Sequence, residues 1–439
     1  MNKLCFSLYA FSCVAGAMLA ACGGSQPPIG APGAMPQGAG IMALESAAAA
    51  RSVAHRIVPE SSYQVLHGFH NHGSGGALPR ASLIDLNGIL YGTASYGGSG
   101  CDGYGCGTVF SVTEGTWRVL HRFSGEPYDG DRPEGALVNV NDKLYGTTAA
   151  GGVHLCGSGG CGTVFSVTTA GVEKVLYSFG GGPSDGASPI GNLINVHGTL
   201  YGTTAVGGVN DYGTVFSVTT AGAEKVVYSF GGGADGANPE AGLINIGGTL
   251  YGTTFEGGGS GCSGLGCGTI FSVTRSGTEK VLHSFGGSFD GAYPVAPLTN
   301  LNGTLHGTTY GGGSSNCSGG CGTIFSVTTA GAEKVLYSFG GGLHGDGPSA
   351  GLINVKRTLY GTTAYGGSGC RGIGCGIIFS VTTTGAENVL YSFGGGTSGA
   401  FPLTSLIEVD GTLYGTTDRG GFRCERYLGK CGTVFAFTP

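Results

Sequence analysis

The sequence has 439 residues, of which 94 are glycine, 40 % are hydrophobic and only 10 % are charged. Abundant glycine without a Gly-X-Y period excludes collagen, and the large apolar fraction excludes a disordered chain. The net charge of −6 is spread along the chain without a basic cluster, which excludes the electrostatic footprint of a nucleic-acid-binding protein.

Residues 1–21 are typical of a secretory signal peptide. Lys3 precedes a mostly apolar run, Leu4–Leu19, which is shorter than the roughly 20 residues of a membrane-spanning helix. The segment ends in the tetrapeptide LAAC, whose last residue is Cys22. This ending resembles the lipobox of bacterial lipoproteins, and the resemblance implies cleavage before Cys22 and a lipid on its thiol. An ordinary signal peptide with a chance cysteine is the alternative.

Residues 22–61 are rich in proline, glycine and alanine, a composition that predicts a flexible tether. We therefore expect a membrane partner through the lipid on Cys22 and a location in the cell envelope. Gly23 after the cysteine favours the outer membrane, by resemblance to known lipoprotein sorting. We expect a monomer and no nucleic-acid partner.

A tandem repeat occupies residues 62–439, which we predict to form one domain. The motif Leu-Tyr-Gly-Thr-Thr, or a close variant, recurs seven times at steps of 50–56 residues. Its second residue is Tyr91, Tyr145, Tyr201, Tyr251, His306, Tyr360 and Tyr414. Steps of this length are longer than those of most solenoids and are typical of propeller blades.

Each repeat contains four strand-like runs rich in Val, Ile, Thr, Tyr and Phe. In the third repeat they span Leu193–Val196, Thr199–Thr204, Gly213–Thr219 and Glu224–Phe230. The first two runs are joined by dipeptides such as Asn-Gly and Asp-Gly, which suit two-residue hairpins. Four antiparallel strands per repeat make one blade. The sequence therefore predicts an all-β, seven-bladed β-propeller.

The two ends of the repeat region complement each other. Tyr63–Phe69 matches the fourth strand of a repeat, whereas Gly432–Pro439 matches a third strand and the sequence stops there. We predict that the N-terminal strand becomes the outer strand of the last blade and closes the ring. Closure removes the exposed strand edge that an open array would leave.

The runs LYGTT, Gly-Gly, GTVFSVT and KVLYSF resemble the GloVer tandem repeat of bacterial surface proteins. Those proteins share the repeat but carry different anchors, an arrangement called choice-of-anchor, and the repeat length is kelch-like. The resemblance covers residues 63–439. The resemblance implies a propeller at the cell surface, and it does not indicate any particular activity.

The cysteines form local pairs. Of 15 cysteines, two lie in the predicted signal peptide and one is Cys22. The other twelve are Cys101/Cys106, Cys156/Cys161, Cys262/Cys267, Cys317/Cys321, Cys370/Cys375 and Cys424/Cys431. In an exported protein these pairs predict disulfides that fix the long loop between the second and third strands. Zinc binding is the alternative, but a structural zinc site needs about four convergent ligands. We predict no metal and no cofactor.

Two sets of polar residues are candidates for ligand binding. The first is a repeated aspartate before glycine, expected near the mouth of the central channel: Asp129, Asp185, Asp235, Asp290 and Asp346. A ring of carboxylates could hold a cation or a sugar hydroxyl, but Asp-Gly is also a turn signature. The second set lies in the charged seventh long loop: Arg419, Arg423, Glu425, Arg426, Tyr427 and Lys430. Arg and Tyr are frequent in binding hot spots, and a solvated loop is the alternative.

Three functions fit the sequence. We favour a non-catalytic module that binds a glycan, peptide or protein through the face of the long loops, because loops on a rigid scaffold carry function. The alternatives are a propeller enzyme, a lyase or hydrolase acting on a polysaccharide or small lactone, and a purely structural envelope protein. No G-x-S-x-G string stands between a predicted strand and a predicted helix, as a nucleophile elbow requires, so we name no catalytic residue.

Overall fold

The computed structural model describes residues 62–70, 75–98, 100–113, 115–157, 159–421 and 431–439. Seven four-stranded antiparallel sheets make up this part of the chain, which confirms the predicted seven-bladed propeller. The predicted signal peptide, Cys22 and the predicted tether lie outside the described residues. Among the described residues, no helix is long and apolar enough to cross a membrane.

The first three blades follow the chain in order. Blade 1 contains β2 (Ile84–Leu86), β3 (Ile89–Ala94), β4 (Thr108–Thr113) and β5 (Thr116–Arg122). Blade 2 contains β7 (Val138–Val140), β8 (Lys143–Thr148), β10 (Thr163–Thr168) and β11 (Glu173–Ser178). Blade 3 contains β13 (Ile194–Val196), β14 (Thr199–Thr204), β16 (Thr214–Thr219) and β17 (Glu224–Ser229). Two-residue strands pair between the loops, as β6 (Gly130–Asp131) with β9 (Ala150–Gly151) and β12 (Gly186–Ala187) with β15 (Val206–Gly207).

The remaining blades repeat this pattern. Blade 4 contains β18 (Ile244–Ile246), β19 (Thr249–Thr254), β20 (Thr269–Thr274) and β21 (Glu279–Ser284). Blade 5 contains β22 (Thr299–Leu301), β23 (Thr304–Thr309), β24 (Thr323–Thr328) and β25 (Glu333–Ser338). Blade 6 contains β26 (Ile353–Val355), β27 (Thr358–Thr363), β28 (Ile377–Thr382) and β29 (Glu387–Ser392). Blade 7 contains β30 (Ile407–Val409), β31 (Thr412–Thr417), β32 (Thr433–Thr438) and β1 (Ser62–Gly68).

The ring closes through blade 7, as predicted. β1 pairs antiparallel with β32, and Tyr63 lies opposite Phe437. Strands from the two ends of the repeat region therefore share one sheet, in the order β1-β32-β31-β30. The outer edge of β32 is covered by backbone hydrogen bonds from β1.

The hydrophobic core lies between neighbouring blades. Phe179 of blade 2 meets Phe216 of blade 3 edge to face, with ring centroids 5.0 Å apart, and both rings are fully buried. The glycine of each Leu-Tyr-Gly-Thr-Thr motif makes room for this packing. A Cβ atom on Gly202 would lie 2.7 Å from Cζ of Phe216, so a larger residue would displace the ring. The repeated Gly and Phe thus specify one interface that recurs around the ring.

The two threonines of the motif form different hydrogen bonds, one between neighbouring blades and one within a blade. Thr203 donates its hydroxyl to the carbonyl of Ala241 in the next blade, at 2.9 Å. The hydroxyls of Thr204 and Thr214 lie 2.8 Å apart within one blade. Both sites are buried, where a satisfied hydroxyl contributes roughly 0.5–1.5 kcal/mol. The polar residues of the repeat are therefore structural.

Candidate functional site

The loops of the propeller emerge on two faces, one with long loops and one with short hairpins. Connections from the second to the third strand, and from the fourth strand to the next blade, lie on one face, which we call the long-loop face. Tight hairpins such as His197-Gly198, with φ of 53° and 85°, form the opposite hairpin face. The first strand of each blade lies nearest the central channel, because residues just before it line one cavity together.

Disulfides fix five of the long loops. Five predicted cysteine pairs are bonded, with Cα atoms 4.9–5.3 Å apart, which confirms those predictions. They are Cys101–Cys106, Cys156–Cys161, Cys262–Cys267, Cys317–Cys321 and Cys370–Cys375. In the sixth pair Cys431 is buried, whereas Cys424 lies outside the described residues.

Each of these disulfides also packs against the loop that leads to the next blade. A Cβ atom on Gly181 would lie 2.8 Å from Sγ of Cys156. Blade 3 has no cysteine pair, and there the ring of Tyr212 takes the same place, with Cε2 2.2 Å from where a Cβ atom of Gly232 would lie. The disulfides therefore hold neighbouring loops together, and an aromatic ring can replace one of them.

Four of the five predicted aspartates lie at the junctions between blades, beside the outer strands. This position corrects the expectation that they lie near the channel mouth. Asp185 accepts hydrogen bonds from Tyr177 Oη at 2.8 Å and from the amides of Gly180 and Gly186 at 2.6 and 2.7 Å. Asp235 is bonded in the same way to Tyr228, at 2.8 Å. These contacts tie the outer strand of one blade to the loop that follows it.

Asp346 does not belong to this set. The other four aspartates stand four residues before the repeated proline, whereas Asp346 stands only two residues before Pro348. The equivalent position is occupied by His344, whose Nδ1 lies 3.7 Å from Oε2 of Glu387. Burial raises the pKa of Asp346 to about 6.

A glutamate at the start of the outer strand lies close to the junction aspartate. Burial, together with the charge of the neighbouring aspartate, raises the pKa of Glu224 and Glu279 to about 7. Two junctions replace this polar arrangement by stacked rings. Tyr63 stacks on Tyr391 with centroids 4.2 Å apart, and His67 stacks on Trp117 at 4.5 Å.

The mouth of the central channel carries a small ionic cluster. Arg80 Nε donates to Oδ1 of Asp418 at 2.9 Å, and Arg80 Nη1 lies 3.5 Å from Oε1 of Glu134. These residues come from blades 1, 7 and 2. Arg80 and Glu134 border a cavity of only 100 Å³, well below the roughly 300–1,000 Å³ of small-molecule pockets.

Aromatic residues lie in several loops of the long-loop face, and two of them, Tyr96 and Tyr365, interact electrostatically with Arg80 and Arg419, respectively. We call them the aromatic arc: Tyr96, Phe255, Tyr293, Tyr310, Tyr365 and Phe401. Their rings contact each other across blades. Phe255 stacks on Tyr293 at 4.9 Å, and Tyr365 meets Phe401 at 5.4 Å. In blades 2 and 3 the two positions after the motif hold only Ala149, Ala150, Ala205 and Val206. The arc is therefore a departure from sevenfold symmetry.

Of the predicted seventh-loop residues, the structure describes only Arg419. Its guanidinium Cζ lies 5.1 Å from the centre of the Phe401 ring, and its Nε lies 3.6 Å from Oδ2 of Asp418. Arg419 thus extends the aromatic arc to the ionic cluster. Arg423, Glu425, Arg426, Tyr427 and Lys430 lie outside the described residues, and their role stays a prediction.

Exposed apolar side chains are concentrated on the long-loop face. Ten large hydrophobic residues are exposed among the described residues, and nine of them lie in loops of this face. We call these nine the rim residues, which are 52–86 % exposed: Tyr104, Tyr128, Val153, Leu155, Val209, Leu265, Phe289, Leu343 and Ile373. The tenth, Val172, lies in a hairpin on the opposite face and is 67 % exposed.

The sequence profile of the Gloeobacter/Verrucomicrobia repeat matches residues 40–265 and 263–439. The chain belongs to this repeat family. No curated protein matches the chain in sequence.

This Gloeobacter/Verrucomicrobia repeat protein also has distant structural neighbours. A gluconolactonase from Xanthomonas campestris is 11 % identical, with a TM-score of 0.37 over 63 % of this chain and 78 % of that chain. The endosialidase of phage phi92 is 9 % identical, with a TM-score of 0.41 over 87 % of this chain and 71 % of that chain. Similarities this low carry no information about activity or ligand.

The aromatic arc and the rim residues were not predicted from the sequence. In this repeat protein the motif and the proline hardly vary, but the two residues after the motif change from blade to blade, as Ala-Ala, Phe-Glu or Asp-Arg. Variation at these two positions, next to a motif that is nearly constant, could have indicated a departure from sevenfold symmetry. The rim residues gave a weaker signal, because only the structure shows which loop residues are exposed.

Proposed function

We propose that this propeller is a non-catalytic module that binds a protein partner through its long-loop face. The observation that supports the proposal most is the one-sided distribution of the rim residues. Apolar side chains on a soluble surface are common singly, but a concentration on one face is typical of an interaction surface. Disulfides fix the long loops that carry Tyr104, Leu155, Leu265 and Ile373, so these loops lose little entropy on binding.

The position of the chain start is consistent with this use of the long-loop face. Ser62, the first residue of β1, borders a cleft of 370 Å³ together with Thr113 and Asp410, which belong to hairpins of the opposite face. β1 therefore begins on the hairpin face, opposite the face that carries the rim residues.

A glycan is the second candidate ligand, and the aromatic arc favours it. Partly exposed tyrosine rings beside carboxylates and guanidinium groups suit stacking on a sugar and hydrogen bonding to its hydroxyls. An enzyme is less well supported, because the ionic cluster at the channel mouth is internally paired and its cavity is small.

A binding assay with a matched control tests the proposal. The full chain carrying Cys22→Ser is applied to arrays of envelope proteins and glycans. Replacing Leu155, Leu265 and Phe289 by serine should weaken binding to a protein partner tenfold or more, because burying one such side chain contributes roughly 1.5–3 kcal/mol. Val172→Ser on the hairpin face should leave the affinity unchanged. Equal affinities for all three proteins would refute a site at the rim.

The same arrays separate the two ligand classes. Glycan binding that is lost in Tyr365→Ala but kept in the triple serine variant would place the ligand at the aromatic arc. Turnover of a polysaccharide or lactone on the array would favour the enzymatic alternative over both.

A further inference from the structure

The junction of blades 1 and 2 brings together a histidine and two carboxylates from three separate segments. His121 lies in β5, Asp129 lies in the loop that follows, and Glu173 begins β11 of the next blade. One donor atom from each residue lies within 4.8 Å of the other two. Nε2 of His121 is 3.3 Å from Oδ2 of Asp129.

We propose that His121, Asp129 and Glu173 bind a divalent transition-metal ion, with Zn²⁺ as the first choice. An imidazole nitrogen with two carboxylate oxygens is a donor set that Zn²⁺ accepts. Three protein ligands leave one position of a four-coordinate ion for water. No metal was predicted from the sequence, because the three residues converge only when two blades pack together.

Backbone and packing contacts hold the donors in place, and a metal ion would replace the contact between Nε2 of His121 and Oδ2 of Asp129. Asp129 accepts hydrogen bonds from the amides of Ser124 and Gly130, at 2.8 and 2.7 Å. The ring of His121 meets Phe123 edge to face, with centroids 4.8 Å apart. A metal ion would therefore meet ligands whose positions are already fixed by packing, as metal sites require.

Glu173 contributes an oxygen that lacks a partner. Its Oε1 atom is shielded from solvent and has no hydrogen-bond partner among the described residues, and the same holds for Oε1 of Glu224 and Glu279 at junctions that carry tyrosine. The unpartnered oxygen is thus common to the junctions, and the nitrogen of His121 distinguishes this one. A shielded carboxylate oxygen without a partner is costly, and it faces a second carboxylate across the junction. A cation between the two carboxylates would give this oxygen a partner and relieve their repulsion.

The repeat itself provides a related junction and a control. His283, Asp290 and Glu333 occupy the equivalent positions at the junction of blades 4 and 5, with His283 Nε2 3.3 Å from the aspartate Oδ2, but their three donor atoms do not converge within 4.8 Å as those of His121, Asp129 and Glu173 do. At the junction of blades 2 and 3 the histidine is replaced by Tyr177, whose neutral hydroxyl donates to Asp185. That junction keeps the structural contact but lacks the nitrogen ligand.

Calorimetric titration with ZnCl₂ and visible spectra with CoCl₂ test the proposal on the oxidised full chain carrying Cys22→Ser. We expect saturable Zn²⁺ binding by the wild type. His121→Tyr should lose binding at this junction because it removes the nitrogen ligand, while the tyrosine hydroxyl keeps the hydrogen bond to the aspartate. Glu173→Gln should also lose this binding. Tyr177→His should add one further Zn²⁺ site, and Tyr177→Phe should leave the number of Zn²⁺ sites unchanged. Melting curves confirm that each variant is folded.

Two outcomes would overturn the proposal. The first is a wild-type protein that takes up no Zn²⁺ and gives no Co²⁺ absorption band. The second is a His121→Tyr, His283→Tyr double variant that binds the ion as tightly and in the same ratio as the wild type, which would assign the binding to other histidines.

Discussion

Replacing Glu224 and Glu279 by glutamine should change how the stability of the propeller depends on pH. Both residues lie at junctions that carry tyrosine, and burial raises the pKa of each to about 7 in the folded protein. The unfolded chain has the ordinary value of about 4.5. The folded protein therefore holds these protons more tightly. The stabilisation by the protonated form is present at pH 4.5 and is lost as the pH rises through 7.

The magnitude follows from the size of the shift. About 2.5 pKa units correspond to roughly 3 kcal/mol per glutamate for a fully shielded group. The two carboxyls are only half-buried, so solvent screening reduces this to about 1–2 kcal/mol each. Between pH 5 and pH 8 the wild type should lose about 2–4 kcal/mol of unfolding free energy relative to the double glutamine variant.

Urea denaturation at pH 5, 6, 7 and 8 measures this difference. Other groups that titrate in the same range, such as Asp346 and His67, are present in both proteins and cancel in the comparison. Glu126→Gln, at an exposed position, serves as the control and should leave the pH profile unchanged. Parallel profiles of the wild type and the double variant would refute the argument, and so would a wild type that gains stability relative to the variant as the pH rises.

Three further predictions concern packing, closure and anchoring. Gly202→Ala should cost about 1–3 kcal/mol of unfolding free energy, measured by urea denaturation, because its Cβ would lie 2.7 Å from Phe216; Gly233→Ala, in open space, is the control. Deleting Tyr63–Phe69 should expose the edge of β32 and produce aggregates in size-exclusion chromatography, and an intact monomer would contradict closure by β1. Cys22→Ser should move the protein from the membrane to the soluble fraction and abolish labelling by a radioactive fatty acid, and a wild type that takes up no label would refute the lipobox.

The fold could be predicted from the sequence because the same pattern of four strands and their turns recurs in seven repeats. In the third repeat the predicted strand Thr199–Thr204 has the observed bounds, and the other three differ by one residue at one end. Closure by the N-terminal strand could be predicted as well, since a missing fourth strand and a spare one are visible in the sequence. Local pairing of cysteines identified five disulfides for the same reason.

The candidate site could not be predicted to the same depth. Asp346 was grouped with the other aspartates because it precedes a glycine, but its distance from Pro348 gives it a different neighbour. The contact of Glu173 with Asp129 joins two blades, and a single repeat carries no information about that contact. Exposure of Leu265 and Phe289 depends on how their loops fold, which glycine-rich sequences leave undetermined.

Site-specific photo-crosslinking in intact cells tests the central claim most directly. A photoreactive amino acid is placed at Leu265 or Phe289 on the long-loop face, or at the equally exposed Val172 on the hairpin face. If a protein partner binds the long-loop face, the first two positions give a crosslinked adduct of defined mass and position 172 gives none. Adducts absent from positions 265 and 289, or formed equally at all three positions, would contradict the account.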